Sequence, residues 1–212
     1  NVDNTDYPFS YGYDAAGNRT SMTYPDNTTN TYIYDELSRM IRIPGYFERA
    51  NGQSGFAYDP VGNMTDMWSI NGIHTQFTYN TRNMATGISS TPLSLSYTYS
   101  GNGNIVKITD NTGANPVELN YTYDAKGQLK TAQVNKSTGV ETVSYSYDGT
   151  SNRISETWKN NQNQILSQYT YTYQPGDYLV SKTDPSSVVN YTWDIYGQLS
   201  SKSSGENYIF TG

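Results

Sequence analysis

Polar and apolar positions alternate strictly in short segments of this chain. Each segment ends in two aromatic residues that are separated by a Thr or Ser. Residues 93–99 read Leu-Ser-Leu-Ser-Tyr-Thr-Tyr, and residues 119–123, 143–147 and 189–193 repeat the pattern. Alternation with period two is typical of a β-strand that has one buried face, and no segment keeps a helical period. We therefore predict an all-β chain, with aromatic side chains on one face of each strand and Thr or Ser on the other.

A turn signal follows each of these segments. Residues 124–127 read Asp-Ala-Lys-Gly, and a type I turn favours Asp at its first position and Gly at its fourth. A type I turn followed by a residue with positive φ is a common hairpin connection. Asn83 and Asp177 replace the glycine and tolerate positive φ well, whereas Ser38 and Ser151 fit this position less well. The pattern predicts one β-hairpin at each Asp-x-x-Gly.

The return strands and the connections between hairpins are more variable. Apolar residues recur three apart in the return strands, for example at Ile105 and Ile108, which breaks the period of two and predicts a β-bulge. Asn71-Gly72 predicts a two-residue hairpin loop. The longest insertion covers residues 44–55.

Strand and turn together form a nine-position unit that recurs along the chain. We number its positions from the first aromatic residue: aromatic, small, aromatic, Asp, two variable positions, Gly, amide, and an apolar residue or Arg. The unit occurs at residues 11–19, 32–40, 56–64, 77–84 (shorter by one residue), 97–105, 121–129, 145–153, 171–179 and 191–199, and residues 208–212 open a tenth copy. Because such periodicity is typical of repeat architectures, we predict one continuous array over residues 1–212.

The motif residues are predicted to have structural roles. The first aromatic positions include Tyr11, Tyr97, Tyr121, Tyr145, Tyr171 and Tyr191; the second are Tyr13, Tyr34, Tyr58, Tyr79, Tyr99, Tyr123, Tyr147, Tyr173 and Trp193. The turn positions are Asp14, Asp35, Asp59, Asp124, Asp148 and Asp194, with Gly17, Gly62, Gly103, Gly127 and Gly197. Nine hairpins in series give about 18 antiparallel strands and a strip on the order of 85 Å wide. Such a sheet is expected to curl into a spiral.

The amino-acid composition excludes several functional classes for this chain. The chain has 22 Tyr but is only 34% hydrophobic, which suits an open or hollow sheet better than a thick core. It has no Cys, so disulfides and thiol chemistry are excluded. A net charge of −6 with scattered Lys and Arg argues against a nucleic-acid surface. No apolar run reaches the length of a membrane span, and we predict no membrane insertion.

The candidate catalytic and metal-binding groups have simpler explanations. The six turn aspartates are equivalent, whereas a glycosidase needs two carboxylates in different environments and calcium needs converging oxygens. His74 is the only histidine, and no nucleophile motif accompanies it. We predict no catalytic residue, no cofactor and no metal. Trp68, Trp158 and Trp193 are candidates for stacking on sugars, although cross-strand aromatic packing is the favoured interpretation.

The repeated Tyr-x-Tyr-Asp-x-x-Gly-Asn/Gln-Arg/Leu motif resembles that of the YD-repeat, or RHS-repeat, family over essentially the whole chain. Members include bacterial Rhs proteins, the C component of Tc toxin complexes, wall-associated polymorphic toxins and teneurins. The resemblance implies a spiral β-sheet that forms a hollow shell, which encloses a C-terminal toxin domain in toxin members and serves adhesion in teneurins. The closing segment of the Asp-Pro-x-Gly-Leu type is missing, since residues 59–63 are only a repeat variant. No catalytic residue is therefore carried over.

The sequence thus predicts a structural scaffold, a segment of such a shell, from a secreted or cell-surface protein. Its expected partners are the rest of the shell and an enclosed toxin domain. The alternative is an adhesion module that binds glycans or a receptor. Both termini fall inside the repeat pattern, so we expect a fragment of a longer protein. Residues 208–210 form a predicted strand without its partner, which predicts self-association through sheet edges.

Overall fold

The computed structural model describes residues 8–203 and the backbone of residues 206–207. Nearly all of its regular structure is antiparallel β-sheet, so the predicted all-β class and the hairpin repeat are confirmed. The chain divides into two compact units, residues 1–96 and 97–212. Residues 208–212, where the tenth copy and the self-associating edge were predicted, lie outside the described part of the chain.

In the first unit, the strands form three small antiparallel sheets and the start of a longer one. Its strands are β1 (Ser10–Tyr13), β2 (Arg19–Thr23), β3 (Thr29–Thr31), β4 (Ile33–Tyr34), β5 (Met40–Arg42), β6 (Glu48–Arg49), β7 (Gln53–Ser54), β8 (Phe56–Tyr58), β9 (Met64–Trp68), β10 (His74–Tyr79) and β11 (Ala85–Ser89). Strand β12 (Ser94–Tyr99) crosses the boundary between the units, and a 3-10 helical turn covers Ala50–Gly52.

The second unit is an antiparallel meander with longer strands. They are β13 (Ile105–Asp110), β14 (Val117–Tyr123), β15 (Leu129–Lys136), β16 (Gly139–Tyr147), β17 (Arg153–Asn160), β18 (Ile165–Gln174), β19 (Tyr178–Thr183), β20 (Val188–Trp193), β21 (Leu199–Lys202) and β22 (Glu206–Asn207). Each pairs with its chain neighbours.

The described residues form 22 strands, compared with the 18 expected from nine hairpins. Three local features explain the difference. Tyr32 divides one opening strand into β3 and β4, the insertion at residues 44–55 adds β6 and β7, and β22 lies beyond the ninth hairpin. The eighteen expected strands are all present.

The predicted bulge lies immediately after the turn. In β14 and β15, Thr122 pairs with Thr131 and Tyr123 pairs with Leu129, so Lys130 is the extra residue. The same register shift occurs in the hairpins β1–β2, β4–β5, β8–β9, β10–β11, β16–β17, β18–β19 and β20–β21. A bulge increases the local twist of a strand pair, and here it occurs in these eight hairpins.

The register also corrects the length assigned to the fourth repeat. Asn80 N donates to the carbonyl of Met84 at 3.0 Å, and Tyr79 pairs with Ala85. Met84 therefore holds position 8 and Ala85 position 9. This repeat has Met in place of the amide residue at position 8 and is not shorter by a residue.

The prediction of a two-residue loop at Asn71-Gly72 is wrong. Ser69 N donates to the carbonyl of Ile73 at 2.9 Å, and Gly72 N donates to Ser69 at 3.0 Å. Gly72 has a φ of 84°, whereas Asn71 does not have positive φ, which a two-residue type I′ turn requires. The connection repeats the geometry of the motif turn, because Ser69 takes the place of its Asp.

The insertion packs against neighbouring segments of the first unit. Gly55 N donates to the carbonyl of Ile41 at 2.7 Å, and Ile70 N donates to the carbonyl of Tyr46 at 2.9 Å. The rings of Phe47 and Phe56 lie 5.3 Å apart. The insertion is therefore an ordered part of the unit.

Burial follows the predicted alternation in a thin structure. In β12, for example, Ser96 and Thr98 are exposed while Tyr97 and Tyr99 are half-buried. The buried hydrophobic residues in the described part of the chain are Phe56, Val143 and Tyr171, and each of them keeps some exposure, from 3% to 8%. Half-burial of many aromatic rings takes the place of a thick core.

Candidate functional site

The Asp of each motif turn holds the turn by accepting backbone hydrogen bonds. Asp14 Oδ1 accepts from Ala16 N at 3.0 Å and from Asn18 N at 2.8 Å. Asp35, Asp59, Asp124, Asp148 and Asp194 accept the two equivalent bonds at 2.8–3.0 Å. Local geometry thus accounts for all six aspartates, as the Asp-x-x-Gly spacing predicts.

These bonds favour the ionised carboxylate. The side-chain amide of Asn18 is the largest cause that lowers the pKa of Asp14. Burial raises the pKa of Asp59, but hydrogen bonds from Asn63, Val61 and Gly62 outweigh it, and the pKa lies below its usual value. The six carboxylates lie on six separate turns, and each accepts hydrogen bonds from the backbone of its own turn.

Position 7 of the nine-position motif, the last residue of the turn, has positive φ in every described repeat. The glycines are Gly17, Gly62, Gly103, Gly127 and Gly197, with φ from 75° to 97°, and the other residues are Ser38, Asn83, Ser151 and Asp177, with φ from 59° to 78°. The serines therefore adopt the same conformation as the glycines, although serine is less suited to it.

An amide from the preceding repeat contacts three of these non-glycine residues. The Nδ2 atoms at position 8 donate as follows: Asn18 to Ser38 at 3.1 Å, Asn63 to Asn83 at 3.1 Å and Asn152 to Asp177 at 2.7 Å. Sequence reasoning missed this contact between successive turns. The available signal was an Asn at position 8 followed, one repeat later, by a residue other than Gly at position 7.

The second aromatic residue of a repeat ties it to the repeat before. Tyr147 Oη donates to the carbonyl of Leu129 at 2.8 Å. The same bond, from position 3 to position 9 of the preceding repeat, joins Tyr34 to Arg19, Tyr58 to Met40, Tyr79 to Met64, Tyr123 to Ile105 and Tyr173 to Arg153, at 2.6–3.0 Å. Burial raises the pKa of Tyr58, Tyr79, Tyr147 and Tyr173, so these hydroxyls keep the proton that they donate.

The first aromatic residue packs against arginine at position 9. The guanidinium of Arg153 lies 5.5 Å from the ring centre of Tyr145, in its own repeat, and 4.8 Å from that of Tyr171, in the next. Arg153 also forms an ion pair with Glu156 at 3.0 Å. Arg19 lies in the same way between Tyr11 and Tyr32, at 5.8 and 4.9 Å. Cation–π contacts of this kind add to ring packing.

Cross-strand hydroxyl pairs line the opposite face. Thr122 and Thr131 lie 2.6 Å apart between their Oγ1 atoms. Further pairs join Ser146 to Ser155, Thr172 to Ser181 and Thr192 to Ser201, at 2.5–2.7 Å. This face of the second unit is polar and uncharged at these pairs, as predicted for the Thr/Ser side.

Two of the three candidate tryptophans use their indole N–H within the sheet. Trp193 Nε1 donates to the carbonyl of Leu179 at 2.8 Å and so takes the role of the position-3 Tyr. Trp158 Nε1 donates to Glu156 Oε1 at 2.6 Å. Sugar stacking at either residue stays a prediction.

Trp68 and His74 form a stack in the first unit. Their ring centres lie 4.4 Å apart with the planes inclined by 10°, and the guanidinium of Arg49 lies 4.8 Å from the Trp68 ring. His74 Nε2 lies 2.8 Å from Asp66 Oδ1. Neither neighbour of His74 supplies the hydroxyl nucleophile of a Ser-His-Asp arrangement. Sugar stacking at Trp68 also stays a prediction.

The described residues show two further absences. Within residues 8–203 and 206–207, no helix is long and apolar enough to cross a membrane. In the same residues, no three His, Asp or Glu side chains cluster in a way that would hold a metal ion.

Part of the sequence of this chain matches a known family, and its fold is similar to that of known proteins. The family model described as RHS Repeat matches residues 13–43, whereas no curated protein matches the sequence. The fold is similar to part of the Photorhabdus luminescens Tc holotoxin pore structure, with a TM-score of 0.67 and 17% identity over 91% of this chain. It is also similar to part of the crystal structures of TcdB2-TccC3 and of TcdB2-TccC3-Cdc42, with TM-scores of 0.69 and 0.68, 17% identity, and 92% of this chain covered in each.

The chain spans only 12% of the length of each of these solved chains. The comparison therefore concerns the fold and not the activity of the large toxin complexes. The family match lies in the first two hairpins, and the same nine-position motif, turn geometry and aromatic ties recur through the described part of the chain. Residues 13–43 thus match the RHS Repeat family model, and the described repeats outside that range resemble it in motif and turn geometry.

Proposed function

We propose that the chain is a structural scaffold and forms part of the wall of a hollow YD-repeat shell that encloses a toxin domain. The observation that carries the proposal is the recurrent bond from position 3 to position 9 of the preceding repeat, seen for example between Tyr147 and Leu129. Each such bond joins one hairpin to the next, so the motif residues serve the continuity of a sheet.

The aromatic rings and turn carboxylates are engaged in this same task. Arg153 lies between two rings, and each turn Asp binds its own backbone. Groups used in this way are not available for acid–base chemistry, and we propose that the chain has no enzymatic activity. The similarity to Tc toxin complexes supports a secreted protein and an enclosed toxin as its partner.

Two experiments test the scaffold. Small-angle X-ray scattering of the chain should give a curved, open strip, and a compact globule would contradict the proposal. Electron cryo-microscopy of the polypeptide in which this array occurs should place the array in the wall of a cavity. An array extended away from any enclosed volume would overturn the shell.

The absence of catalysis has its own test. Purified chain should show no hydrolase, nuclease or protease activity. Activity that persists through several columns and disappears in a folded His74→Ala or Asp124→Asn variant would contradict the proposal.

A further inference from the structure

A cleft of about 480 Å³ lies in the first unit, outside the nine-position motif. It is lined by Tyr24, Pro25, Asp26, Thr28, Asn30 and Tyr46. Tyr24 begins the connection between β2 and β3, and Tyr46 belongs to the insertion at residues 44–55. Pockets for small ligands have volumes of roughly 300–1,000 Å³, so the cleft has room for one or two sugar rings.

The backbone of Tyr46 is held on both sides while its side chain stays open. Tyr46 N donates to the carbonyl of Ile43 at 3.0 Å, and Ile70 N donates to the carbonyl of Tyr46 at 2.9 Å. The side chain is nevertheless 53% exposed. A ring on an anchored backbone loses little conformational entropy when a ligand packs on it.

Tyr24 is positioned from three directions. Tyr24 N donates to the carbonyl of Thr28 at 2.8 Å, and Asn30 Nδ2 donates to Tyr24 Oη at 3.2 Å. The ring of Phe9 meets Tyr24 edge-on, with ring centres 5.9 Å apart. The ring is therefore preformed on its side of the cleft.

The polar groups of the cleft are hydroxyl, amide and carboxylate. Asp26 Oδ1 accepts from Thr28 N at 2.9 Å and from Thr28 Oγ1 at 2.6 Å. These bonds lower the pKa of Asp26, the bond from the Thr28 side chain most of all. An ionised carboxylate accepts hydrogen bonds from ligand hydroxyls. No Lys or Arg is among the lining residues, which disfavours a phosphate, a sulfate or an acidic sugar.

We propose that this cleft binds a neutral saccharide. The apolar CH face of a sugar packs on the ring of Tyr46, since amphipathic aromatic rings suit ligands with an apolar face and a polar rim. Sugar hydroxyls donate to Asp26, and the hydroxyl of Thr28 and the amide of Asn30 complete the polar contacts. Six of the position-3 tyrosines cannot take this role in the same way, because their hydroxyls already donate to the preceding repeat.

The test uses three neutral disaccharides as probes: maltose, lactose and N,N′-diacetylchitobiose. Saturation-transfer-difference NMR of the full chain with each probe should show transfer from protein to the CH protons of at least one. Titration of that probe gives its dissociation constant. No transfer to any of the three at millimolar concentration would overturn the proposal.

Three variants locate the site. Tyr46→Ala should raise the dissociation constant about tenfold or more, since the stacking surface is lost; Tyr46→Phe keeps the ring and should bind like the parent chain. Asp26→Asn should weaken binding, because the ionised acceptor is lost. Tyr196→Ala is the matched control, since Tyr196 is 81% exposed in the other unit, and it should have no effect.

Three results would contradict the assignment. Saccharide binding that is unchanged in Tyr46→Ala would place the site elsewhere, and so would binding that is lost in Tyr196→Ala. The third concerns ligand class, because two rings beside a carboxylate also suit a cation. Binding of tetramethylammonium chloride that is lost in Tyr46→Ala, with no disaccharide bound, would replace the saccharide by a cationic ligand.

Discussion

Tyr147 donates its hydroxyl proton to the carbonyl of Leu129, 2.8 Å away and one repeat earlier in the chain. Leu129 is the last residue of its own motif and the first of β15. The bond therefore joins the second aromatic residue of one hairpin to the start of the return strand in the hairpin before. Through this bond a local motif becomes a tie between repeats.

Removing that hydroxyl should destabilise the array. We expect Tyr147→Phe to lower the free energy of unfolding by about 0.5–1.5 kcal/mol, because a half-buried carbonyl loses its donor. Urea denaturation followed by tyrosine fluorescence gives the difference. Tyr196→Phe is the control, since that side chain is 81% exposed. Equal transition midpoints for both variants would contradict the role of the tie.

We expect that the turn requires glycine at position 127 because of its positive φ, and not because a larger side chain would lack room. Its φ is 81°, and no atom lies within 4 Å of where a Cβ would stand. Gly127→Val should therefore cost about 1–2 kcal/mol through strain at positive φ, whereas Ala125→Val in the same turn should cost little. Gly127→Asn should be tolerated better than Val, since Asn83 holds the equivalent position with a φ of 59°. Equal thermal shifts in the two valine variants would refute the turn assignment.

At Gly55, in contrast, a larger side chain has no room. A Cβ at this position would lie 2.1 Å from the carbonyl oxygen of Phe47, so Gly55→Ala must displace the insertion. We expect faster hydrogen exchange at the amides of Ile70 and Gly55 and a loss of stability on the order of 2–3 kcal/mol, typical of overpacking. Gly113→Ala, whose nearest neighbour would lie 3.9 Å away, should leave exchange unchanged. Unchanged exchange in Gly55→Ala would show that the insertion is not packed as described.

Acid should destabilise the turns. Side-chain hydrogen bonds from Ser186 and Ser187 lower the pKa of Asp184 to about 2, compared with about 3.9 in an unfolded chain. A lowered folded pKa contributes stability that is complete above the unfolded pKa and is lost as pH falls through the folded value. Stability should therefore decline between about pH 4 and pH 2.

The pH prediction is checked by urea denaturation over that range. Asp14, Asp35, Asp59 and Asp148 also have lowered pKa values, so the parent chain should show the full decline. Asp184→Asn should show a smaller decline than the parent. A variant with the same pH dependence as the parent would remove Asp184 as a contributor.

The sequence alone determined the local conformations. Alternation with period two depends on the pleat of a strand, and the Asp-x-x-Gly turn depends on positive φ and on hydrogen bonds within five residues. Both are set by near neighbours in the chain, and the structure agrees at Asp124 and Gly127. The prediction of a two-residue loop at Asn71-Gly72 was wrong for a related reason. Ser69 holds the first turn position, where the motif has Asp, and the loop is therefore longer.

The contacts between repeats, in contrast, depend on how the strands pair in three dimensions. Leu129 and Tyr147 are 18 residues apart in sequence, and Asn152 and Asp177 are 25 apart; the strand register brings each pair together. That register depends on the bulge and on the length of the connections between hairpins, and these connections vary from repeat to repeat. The cleft between Tyr24 and Tyr46 is decided in the same way, since neither residue belongs to the motif and the insertion alone brings Tyr46 to the connection that begins at Tyr24.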